Sequence, residues 1–245
     1  MAACRAEGVT TINNAAMEPE IMDLVFFLKK MGAKISGEGT NKITIIGVDK
    51  LKGTNYNIMP DRIETGTYLC AAAATGGEIF VKNTNPRCLE AVLDKLQESG
   101  CYIETKKNSV FLSAPKRLKS IEIKTTTYPG FPTDMQQIFT AMLLKASGTS
   151  IIIENIFDNR YKYVSELKKM STKIVQDGRV TIVTGKRKIQ AADLSCTDLR
   201  GGAAIVIASL MAKGMSRISN IDYILRGYEN FNYKLMNLGA KIRVE

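Results

Sequence analysis

The chain has 245 residues, 45% of them hydrophobic and 24% charged, with a formal net charge of +10 and no histidine. This composition is typical of a soluble globular protein, and no apolar run approaches the roughly 20 residues of a membrane-spanning helix. The absence of histidine excludes Ser-His and Cys-His nucleophile pairs and most zinc sites, so we expect neither a metal nor a cofactor. Acid–base chemistry must fall to carboxylates, lysines or tyrosines.

The cysteines predict a reducing compartment. There are five of them, scattered and without a CxxC pair. An odd, unclustered set without an export signal is typical of free thiols, so we expect a cytoplasmic protein. The first residues also lack the long apolar core of a signal peptide.

The positive charge is compatible with a nucleic-acid partner, but its distribution does not favour one. The basic residues are spread along the chain, and the densest clusters, at 116–119 and 186–188, are short. The excess also suits small anionic substrates. We expect no nucleic-acid or membrane partner.

In chain order, a helix end followed by a Gly or Ser and a short strand recurs about every 70 residues. The recurring segments are 28–35, 96–103, 167–174 and 235–242. A glycine after the last helical turn is the usual left-handed cap before a strand. A second pattern with the same period brackets short β-rich runs: Gly8…Asn14, Gly77…Asn83, Gly148…Asn155 and Gly214…Asn220.

A third pattern starts one helix of each repeat with an aspartate. It reads Pro60-Asp61-Arg62, Thr133-Asp134-Met135 and Thr197-Asp198-Leu199. In the middle repeat we predict helices over 134–147 and 163–170, and strands over 120–124, 150–154, 173–176 and 179–183. Such a β-α-β-α-β-β unit cannot bury both faces alone, so the sequence predicts compact α+β domains of several packed units.

The stretch from Tyr128 to Gln136 places Asp134 after a proline-rich loop at a helix start. Each proline fixes its own φ and biases the preceding residue away from helix. One interpretation of Asp134 is a plain helix N-cap. The other is a carboxylate held for chemistry. Glycine, asparagine and proline between Lys52 and Pro60 indicate a domain boundary there.

Several motifs in order resemble the UDP-N-acetylglucosamine enolpyruvyl transferases (1-carboxyvinyltransferases), essentially from end to end of the chain. They are Asn14-Ala15-Ala16-x-Glu18-Pro19-Glu20-Ile21, Pro60-Asp61-Arg62-Ile63-Glu64-Thr65-Gly66-Thr67, Phe131-Pro132-Thr133-Asp134-Met135-Gln136, Asn159-Arg160, Thr197-Asp198-Leu199-Arg200 and Arg226-Gly227-Tyr228-Glu229.

The resemblance implies a two-domain, inside-out α/β barrel of the EPSP-synthase type, each domain built from three β-α-β-α-β-β units. Residues 1–59 would be the incomplete remainder of the first barrel domain, and residues 60–245 a nearly complete second one. The chain would thus be an amino-terminally truncated copy that lacks the family's first half.

The resemblance also implies the reaction. The enolpyruvyl group of phosphoenolpyruvate would pass to the 3-hydroxyl of UDP-N-acetylglucosamine with release of phosphate, the first committed step of peptidoglycan synthesis. A process of that kind belongs to cell-wall growth, and thereby to cell shape, cell cycle and cell division.

Site residues follow from the matching positions. Asp134 matches the candidate general base beside the sugar hydroxyl, and Asp198 a carboxylate beside the reacting carbon. Ile156 matches a position whose backbone contacts the nucleotide sugar. The remaining matches are arginines lining the phosphoenolpyruvate pocket, Arg160, Arg200 and Arg226, and acidic positions on the other domain, Glu18 and Glu20. Arginine suits carboxylate and phosphate because it binds them bidentately.

Three departures from the family pattern stand out. The family's mobile loop with its cysteine proton donor has no counterpart, so no cysteine here inherits that role. Leu225 stands where an acidic residue is usual, and Ser171 where a glycine is usual. With the other half absent, we expect the chain alone to be inactive.

Two other functions stay open. A related enzyme on similar repeats would act on shikimate 3-phosphate or cyclise RNA 3′-terminal phosphates, and the Phe-Pro-Thr-Asp-Met-Gln run argues against both. A non-catalytic basic binding module would explain the charge. That alternative lacks any interleaving of aromatic and basic residues typical of RNA modules.

Overall fold

The computed structural model of the protein describes residues 1–244. It divides into two compact units, one of Met1–Pro60 with Thr127–Gly130, the other of Asp61–Thr126 with Phe131–Glu245. The interpretation of residues 1–59 as the remainder of a larger domain, and of 60–245 as a nearly complete one, stays a prediction.

The first unit packs one helix on a small antiparallel sheet. Its elements are β1 (Val9–Asn13), α1 (Pro19–Lys30), β2 (Lys34–Ser36) and β3 (Lys42–Ile46). The strand order is β1-β3-β2. Helix α1 begins with a proline, which suits the first helical position, and Val25 and Leu28 are buried against the sheet residues Ile43 and Ile45.

The second unit begins with a helix-rich repeat. It contains α2 (Arg62–Thr75), β4 (Glu78–Lys82), α3 (Glu90–Glu98), β5 (Tyr102–Lys106) and β6 (Ser109–Ser113). These strands form an antiparallel sheet in the order β4-β6-β5. The Asp61 side chain caps α2 by accepting from the N–H groups of Ile63 and Glu64 at 2.7 and 3.0 Å.

The middle repeat confirms the predicted β-α-β-α-β-β order. It runs β7 (Glu122–Lys124), α4 (Gln136–Met142), β8 (Thr149–Ile153), α5 (Tyr163–Lys169), β9 (Lys173–Asp177) and β10 (Val180–Thr184). The strand order is β7-β8-β10-β9, with β7 parallel to β8. The predicted helix over 134–147 is shorter than expected, because 3₁₀ turns at Thr133–Met135 and Leu143–Lys145 flank α4.

The last repeat contains β11 (Asp193–Ser195), α6 (Leu199–Met211), β12 (Arg217–Ser219), α7 (Asp222–Leu225) and α8 (Phe231–Asn237). Strands β11 and β12 form a parallel pair. Within residues 1–244, no helix is long and apolar enough to cross a membrane.

The core of the second unit is helical, with the sheets outside. Helices α2, α4 and α6 contact one another, and every residue of α4 is buried. Strand β10 alternates, with Thr181 and Val183 fully buried and Ile182 38% exposed. The mixture of helices and sheets confirms the predicted α+β class. Helices inside and half-exposed sheets outside agree with the inside-out arrangement that the resemblance implies.

The capping positions confirm the predicted helix ends. The short strand predicted after the fourth cap is wrong, because residues 240–244 form no strand. Gly32, Gly100, Ser171 and Gly239 all have left-handed backbones, with φ of 103°, 100°, 59° and 98°. Ser171 therefore keeps the cap without the glycine that the conformation favours.

All four Gly-to-Asn pairs bracket a strand, as predicted, but the asparagine of the middle repeat is not equivalent to the others. Asn14, Asn83 and Asn220 are left-handed, with φ of 53°, 56° and 56°, whereas Asn155 is not. Counting six residues from Gly148, as in the other three repeats, leads to Glu154.

Candidate active site

Asp134 is held between two arginines. It lies in the 3₁₀ turn Thr133–Met135, which follows Pro132, and its side chain caps no helix. Its Oδ1 pairs with Nη2 of Arg160, and its Oδ2 accepts from Nε of Arg200 at 3.1 Å. The plain N-cap interpretation is therefore wrong for Asp134.

Arg200 comes from the first turn of α6 and is nearly enclosed. Its side chain is 12% exposed, and its guanidinium lies 5.1 Å from the centre of the Tyr228 ring. The Tyr228 hydroxyl is bonded to that of Thr67 at 2.9 Å, which fixes the ring. The Nη1 atom of Arg200 is buried and has no hydrogen-bond partner among residues 1–244. A buried cationic donor left unpaired is suited to an anion.

Arg160 reaches the same carboxylate from the loop after β8. Its Nη1 donates to the Thr133 hydroxyl at 2.7 Å, and its guanidinium lies 4.9 Å from the centre of the Phe157 ring. The side-chain amide of Gln137 finds a partner for both its oxygen and its nitrogen when it is rotated by 180°. In that orientation its oxygen accepts from Nε of Arg160 at 2.8 Å. Three nitrogen atoms of Arg160 are thus engaged, which fixes its orientation.

The charges keep Asp134 ionised. Burial by itself raises the pKa of Asp134, but the Arg200 and Arg160 charges and hydrogen bonds outweigh it, and the net pKa is lowered. Burial lowers the pKa of Arg200, while Tyr228 and Asp134 raise it, with a net increase. At neutral pH the site therefore holds two cations and one shared carboxylate.

Asp198 has a structural task. Its Oδ1 accepts from the N–H of Gly201 at 2.8 Å, and its Oδ2 from the Thr197 hydroxyl at 3.0 Å. It is the N-cap of α6 and so sets the start of the helix that carries Arg200. A catalytic role for Asp198 stays a prediction.

The other predicted positions lie around this cluster or apart from it. Ile156 is 36% exposed in the loop that carries Arg160. Arg226 is exposed where α7 ends, and its guanidinium lies 5.9 Å from the centre of the Tyr223 ring. No contact among the described residues joins Arg226 to Asp134. Glu18 and Glu20 belong to the first unit, where they flank the start of α1.

Sequence reasoning missed Glu154, Thr133 and Tyr228 as residues that build the site. Glu154 is fully buried and accepts from Thr133 at 2.8 Å, and Tyr228 lies against Arg200. A signal for Glu154 existed, since it alone replaces asparagine at that position of the repeat. Tyr228 and Thr133 lay inside motifs from which only the charged neighbours were chosen.

The cysteines supply no exposed acid or nucleophile at the cluster. Cys70, Cys101 and Cys196 are buried, and burial raises the pKa of each thiol, for Cys196 to about 11. A buried, protonated thiol is a poor nucleophile. Residues 1–244 contain no group of three His, Cys, Asp or Glu side chains that could hold a metal ion.

The arrangement is suited to two tasks. Unused N–H groups of Arg200 and Arg160 can bind a carboxylate or a phosphate. The carboxylate of Asp134 can accept a hydrogen bond, and then a proton, from a hydroxyl group beside it. Because the arginines hold its charge, Asp134 is a weak base until an anionic ligand competes for them.

Residues 1–235 match the family described as EPSP synthase (3-phosphoshikimate 1-carboxyvinyltransferase).

Curated relatives match along nearly the whole chain. A protein of Geobacillus kaustophilus named UDP-N-acetylglucosamine 1-carboxyvinyltransferase 2 is 49% identical over 242 residues, which are 99% of this chain and 56% of the relative. A protein of Caldanaerobacter subterraneus named UDP-N-acetylglucosamine 1-carboxyvinyltransferase 3 is 50% identical, over 99% of this chain and 58% of the relative. The chain thus spans little more than half the length of these relatives.

Solved structures share the fold. The enolpyruvyl transferase NikO from Streptomyces tendae superposes with a TM-score of 0.88 at 25% identity, over 98% of this chain and 58% of that one. An EPSP synthase from Acinetobacter baumannii gives a TM-score of 0.72 at 20% identity, over 100% of this chain and 59% of that one.

Proposed function

The chain belongs to the EPSP synthase family of carboxyvinyltransferases, and we propose that it is the carboxyl-terminal part of an enolpyruvyl transferase. The proposed reaction moves the enolpyruvyl group of phosphoenolpyruvate to the 3-hydroxyl of UDP-N-acetylglucosamine. The bond between the enol carbon and the phosphate oxygen breaks, and a bond from that carbon to the sugar oxygen forms. The hydroxyl proton leaves with the phosphate in the overall balance.

The observation that carries the proposal is the pairing of Asp134 with Arg160 and Arg200. Both substrates are anions, and Nη1 of Arg200 is a buried donor without a partner among the described residues. An anionic ligand there would draw the arginines from Asp134 and raise the pKa of the carboxyl. Asp134 would then become a better base at the moment the acceptor hydroxyl is in place.

The assignment of the acceptor rests on the relatives. Those with 48–50% identity are named for UDP-N-acetylglucosamine. The structures named EPSP synthase are 20% identical, so they support the fold alone. Shikimate 3-phosphate is therefore the less favoured acceptor. We assign Ile156 to the nucleotide sugar and Arg226 to the phosphoenolpyruvate side, with Asp198 near the reacting carbon.

The proposed reaction places the protein in peptidoglycan synthesis. Wall growth, and through it cell shape and division, would depend on such a step. The free thiols suit a cytoplasmic enzyme. The second wall of the site, with a proton donor for the vinyl carbon, would come from the part that the relatives have and this chain does not span.

The test is a chimera that joins this chain to the unmatched part of the Geobacillus kaustophilus relative. Phosphate release is measured with phosphoenolpyruvate and either UDP-N-acetylglucosamine or shikimate 3-phosphate. We expect release with the nucleotide sugar alone. A preference for shikimate 3-phosphate would contradict the proposed acceptor, and a folded chimera that is inactive with both would contradict the proposed function.

A further inference from the structure

Glu154 differs from its counterparts in the other repeats. It follows Gly148 by six residues, as Asn14, Asn83 and Asn220 follow their own glycines. Those asparagines adopt left-handed backbones, and Glu154 does not. This repeat has exchanged a turn-forming asparagine for a buried carboxylate. The same repeat contributes Asp134 and Arg160 to the cluster.

The carboxylate of Glu154 is fully buried and accepts four hydrogen bonds. Its Oε1 accepts from the Thr125 hydroxyl at 2.9 Å and from the N–H groups of Ile156 and Phe157 at 2.9 and 3.1 Å. Its Oε2 accepts from the Thr133 hydroxyl at 2.8 Å. A buried carboxylate is costly unless its oxygens are satisfied, so these four donors are fixed in place around it.

The Thr133 hydroxyl links Glu154 to the arginine. A hydroxyl has one proton to give, and Thr133 gives it to Oε2 of Glu154. Its lone pairs are then directed to Nη1 of Arg160, which donates to it at 2.7 Å. Because the hydroxyl donates its only proton to Oε2 of Glu154, Glu154 determines which way the Thr133 hydroxyl points. The arginine in turn pairs with Asp134.

A second route runs through the backbone. The N–H of Phe157 is bonded to Glu154, and the Phe157 ring lies 4.9 Å from the Arg160 guanidinium. Glu154 therefore holds both the hydroxyl and the ring that orient Arg160. The same anchor holds the N–H of Ile156, whose main chain we assign to the nucleotide sugar.

We propose that Glu154 is a positioning residue, which acts through the Thr133 hydroxyl to hold Arg160 in the orientation that pairs it with Asp134. The expected effect on catalysis rests on the proposed transferase function. The direction of the hydrogen bonds from Arg160 to Thr133 and from Thr133 to Glu154 does not depend on that function. Glu154 itself touches neither substrate in this scheme.

Substitution of Glu154 by glutamine changes an acceptor into a donor while the shape of the side chain is kept. Glu154→Gln keeps the volume and can keep the three bonds to Oε1, but it turns an NH₂ group toward Thr133. That hydroxyl then faces two donors, and its bond to Arg160 weakens. Thr133→Val removes the hydroxyl at nearly constant shape, and Thr133→Ser restores it. Glu166→Gln is the matched control, because Glu166 is also a buried carboxylate and bonds elsewhere, to Lys169 and the N–H of Ser195.

The first measurement is the NMR spectrum of the arginine side chains in the purified chain, with the Arg160 signals assigned by their loss in Arg160→Lys. We expect Glu154→Gln and Thr133→Val to shift the Arg160 Nε–H and Nη–H signals and to speed their exchange. Thr133→Ser and Glu166→Gln should leave them near the wild-type positions. Unchanged Arg160 signals in a folded Glu154→Gln chain would overturn the proposal. If that variant does not fold, the contrast between the Val and Ser variants at position 133 decides.

The second measurement uses the chimera. We expect Glu154→Gln to lower kcat by about 10- to 100-fold with a much smaller change in KM, because a misplaced group near the reaction has that scale of effect. The Glu166→Gln chimera should stay close to wild type, because Glu166 bonds to Lys169 and to the N–H of Ser195 and not to the cluster. An inactive wild-type chimera would contradict the transferase function and leave the NMR test standing. Normal kcat in a Glu154→Gln chimera would overturn the positioning role.

Discussion

The Nε atom of Arg200 donates to the Oδ2 atom of Asp134 at 3.1 Å, although the two residues are 66 positions apart. One repeat supplies the carboxylate and the next supplies the cation. The contact is possible because α4 and α6 pack against each other in the helical core. Because different repeats supply the two charged groups, a substitution in one repeat can alter one group of the site and leave the other in place.

Asp134→Asn tests the carboxylate as a base. In the chimera we expect a loss of about 10²- to 10⁴-fold in turnover, the usual contribution of a general acid or base. Steady-state phosphate release with both substrates gives the rate, and an amide spectrum checks the fold. Asp177→Asn, at an exposed aspartate, is the matched control. Near-normal turnover in Asp134→Asn would show that Asp134 only orients the arginines.

The same carboxyl predicts a pH dependence of stability. The folded-state pKa of Asp134 is lowered, mainly by Arg200 and Arg160 acting against burial. Its contribution is therefore fully present above its unfolded pKa, near about 3.9, and is lost as the pH falls through the lower folded value.

Urea unfolding measures this contribution. Asp134→Asn should reduce the free energy of unfolding near neutral pH, and the difference from wild type should shrink in acid. The half-exposed side chain reduces the size of the effect, because solvent screens the pair. A difference that grows as the pH falls would contradict the sign. Asp177→Asn again serves as the control.

Much of the fold follows from the sequence because the repeats make its signals redundant. Four capping positions at one period located the helix ends, and all four are left-handed in the structure. The site was harder. Asp198 looked equivalent to Asp134, yet one caps its helix and the other binds arginines. Nothing local distinguishes them, since the partners of Asp134 come from a later loop and a later helix.

Two contributors could not be found from charge alone. Tyr228 and Thr133 are neutral, and their roles depend on what they touch. Arg226 shows the opposite case, because its motif matched while its side chain lies exposed beside Tyr223. A motif that contains a charged residue thus predicts the chemistry of that residue better than it predicts which residues will surround it.

Gly185→Ala should destabilise the second unit. A Cβ at Gly185 would lie 1.9 Å from the backbone oxygen of Ala146, so the main chain would have to shift. Overpacking of this kind typically costs about 1–3 kcal/mol. Thermal unfolding gives the change. Gly77→Ala is the control, because its Cβ would meet no atom closer than 3.8 Å. Equal melting temperatures for the two variants would contradict this packing.

Hydrogen exchange should divide the chain at its two units. The core of the first unit contains only the buried residues Cys4, Val25, Leu28, Ala33, Ile35, Ile43 and Ile45. A core this small provides little stability of its own. We expect the amides of residues 1–59 to exchange much faster than those of α4 and α6. Equal protection in both units would contradict the prediction.

The last prediction concerns the chain by itself. It should bind phosphoenolpyruvate or inorganic phosphate weakly, with a Kd of roughly millimolar order, since arginine–anion contacts do not need a complete cleft. It should release no phosphate when both substrates are supplied, because orientation of two reactants can lower a barrier by about 7–11 kcal/mol and requires both walls of a site.

Titration calorimetry with phosphate tests the binding, and Arg200→Lys should weaken it because lysine cannot donate bidentately. Arg187→Lys, at an exposed arginine after β10, should not. Phosphate release by the wild-type chain is compared with release by the Asp134→Asn chain purified in the same way. Any release caused by a contaminating host enzyme is then present in both samples. Release by the wild-type chain above that baseline would show that the walls of a working site are already present in these residues.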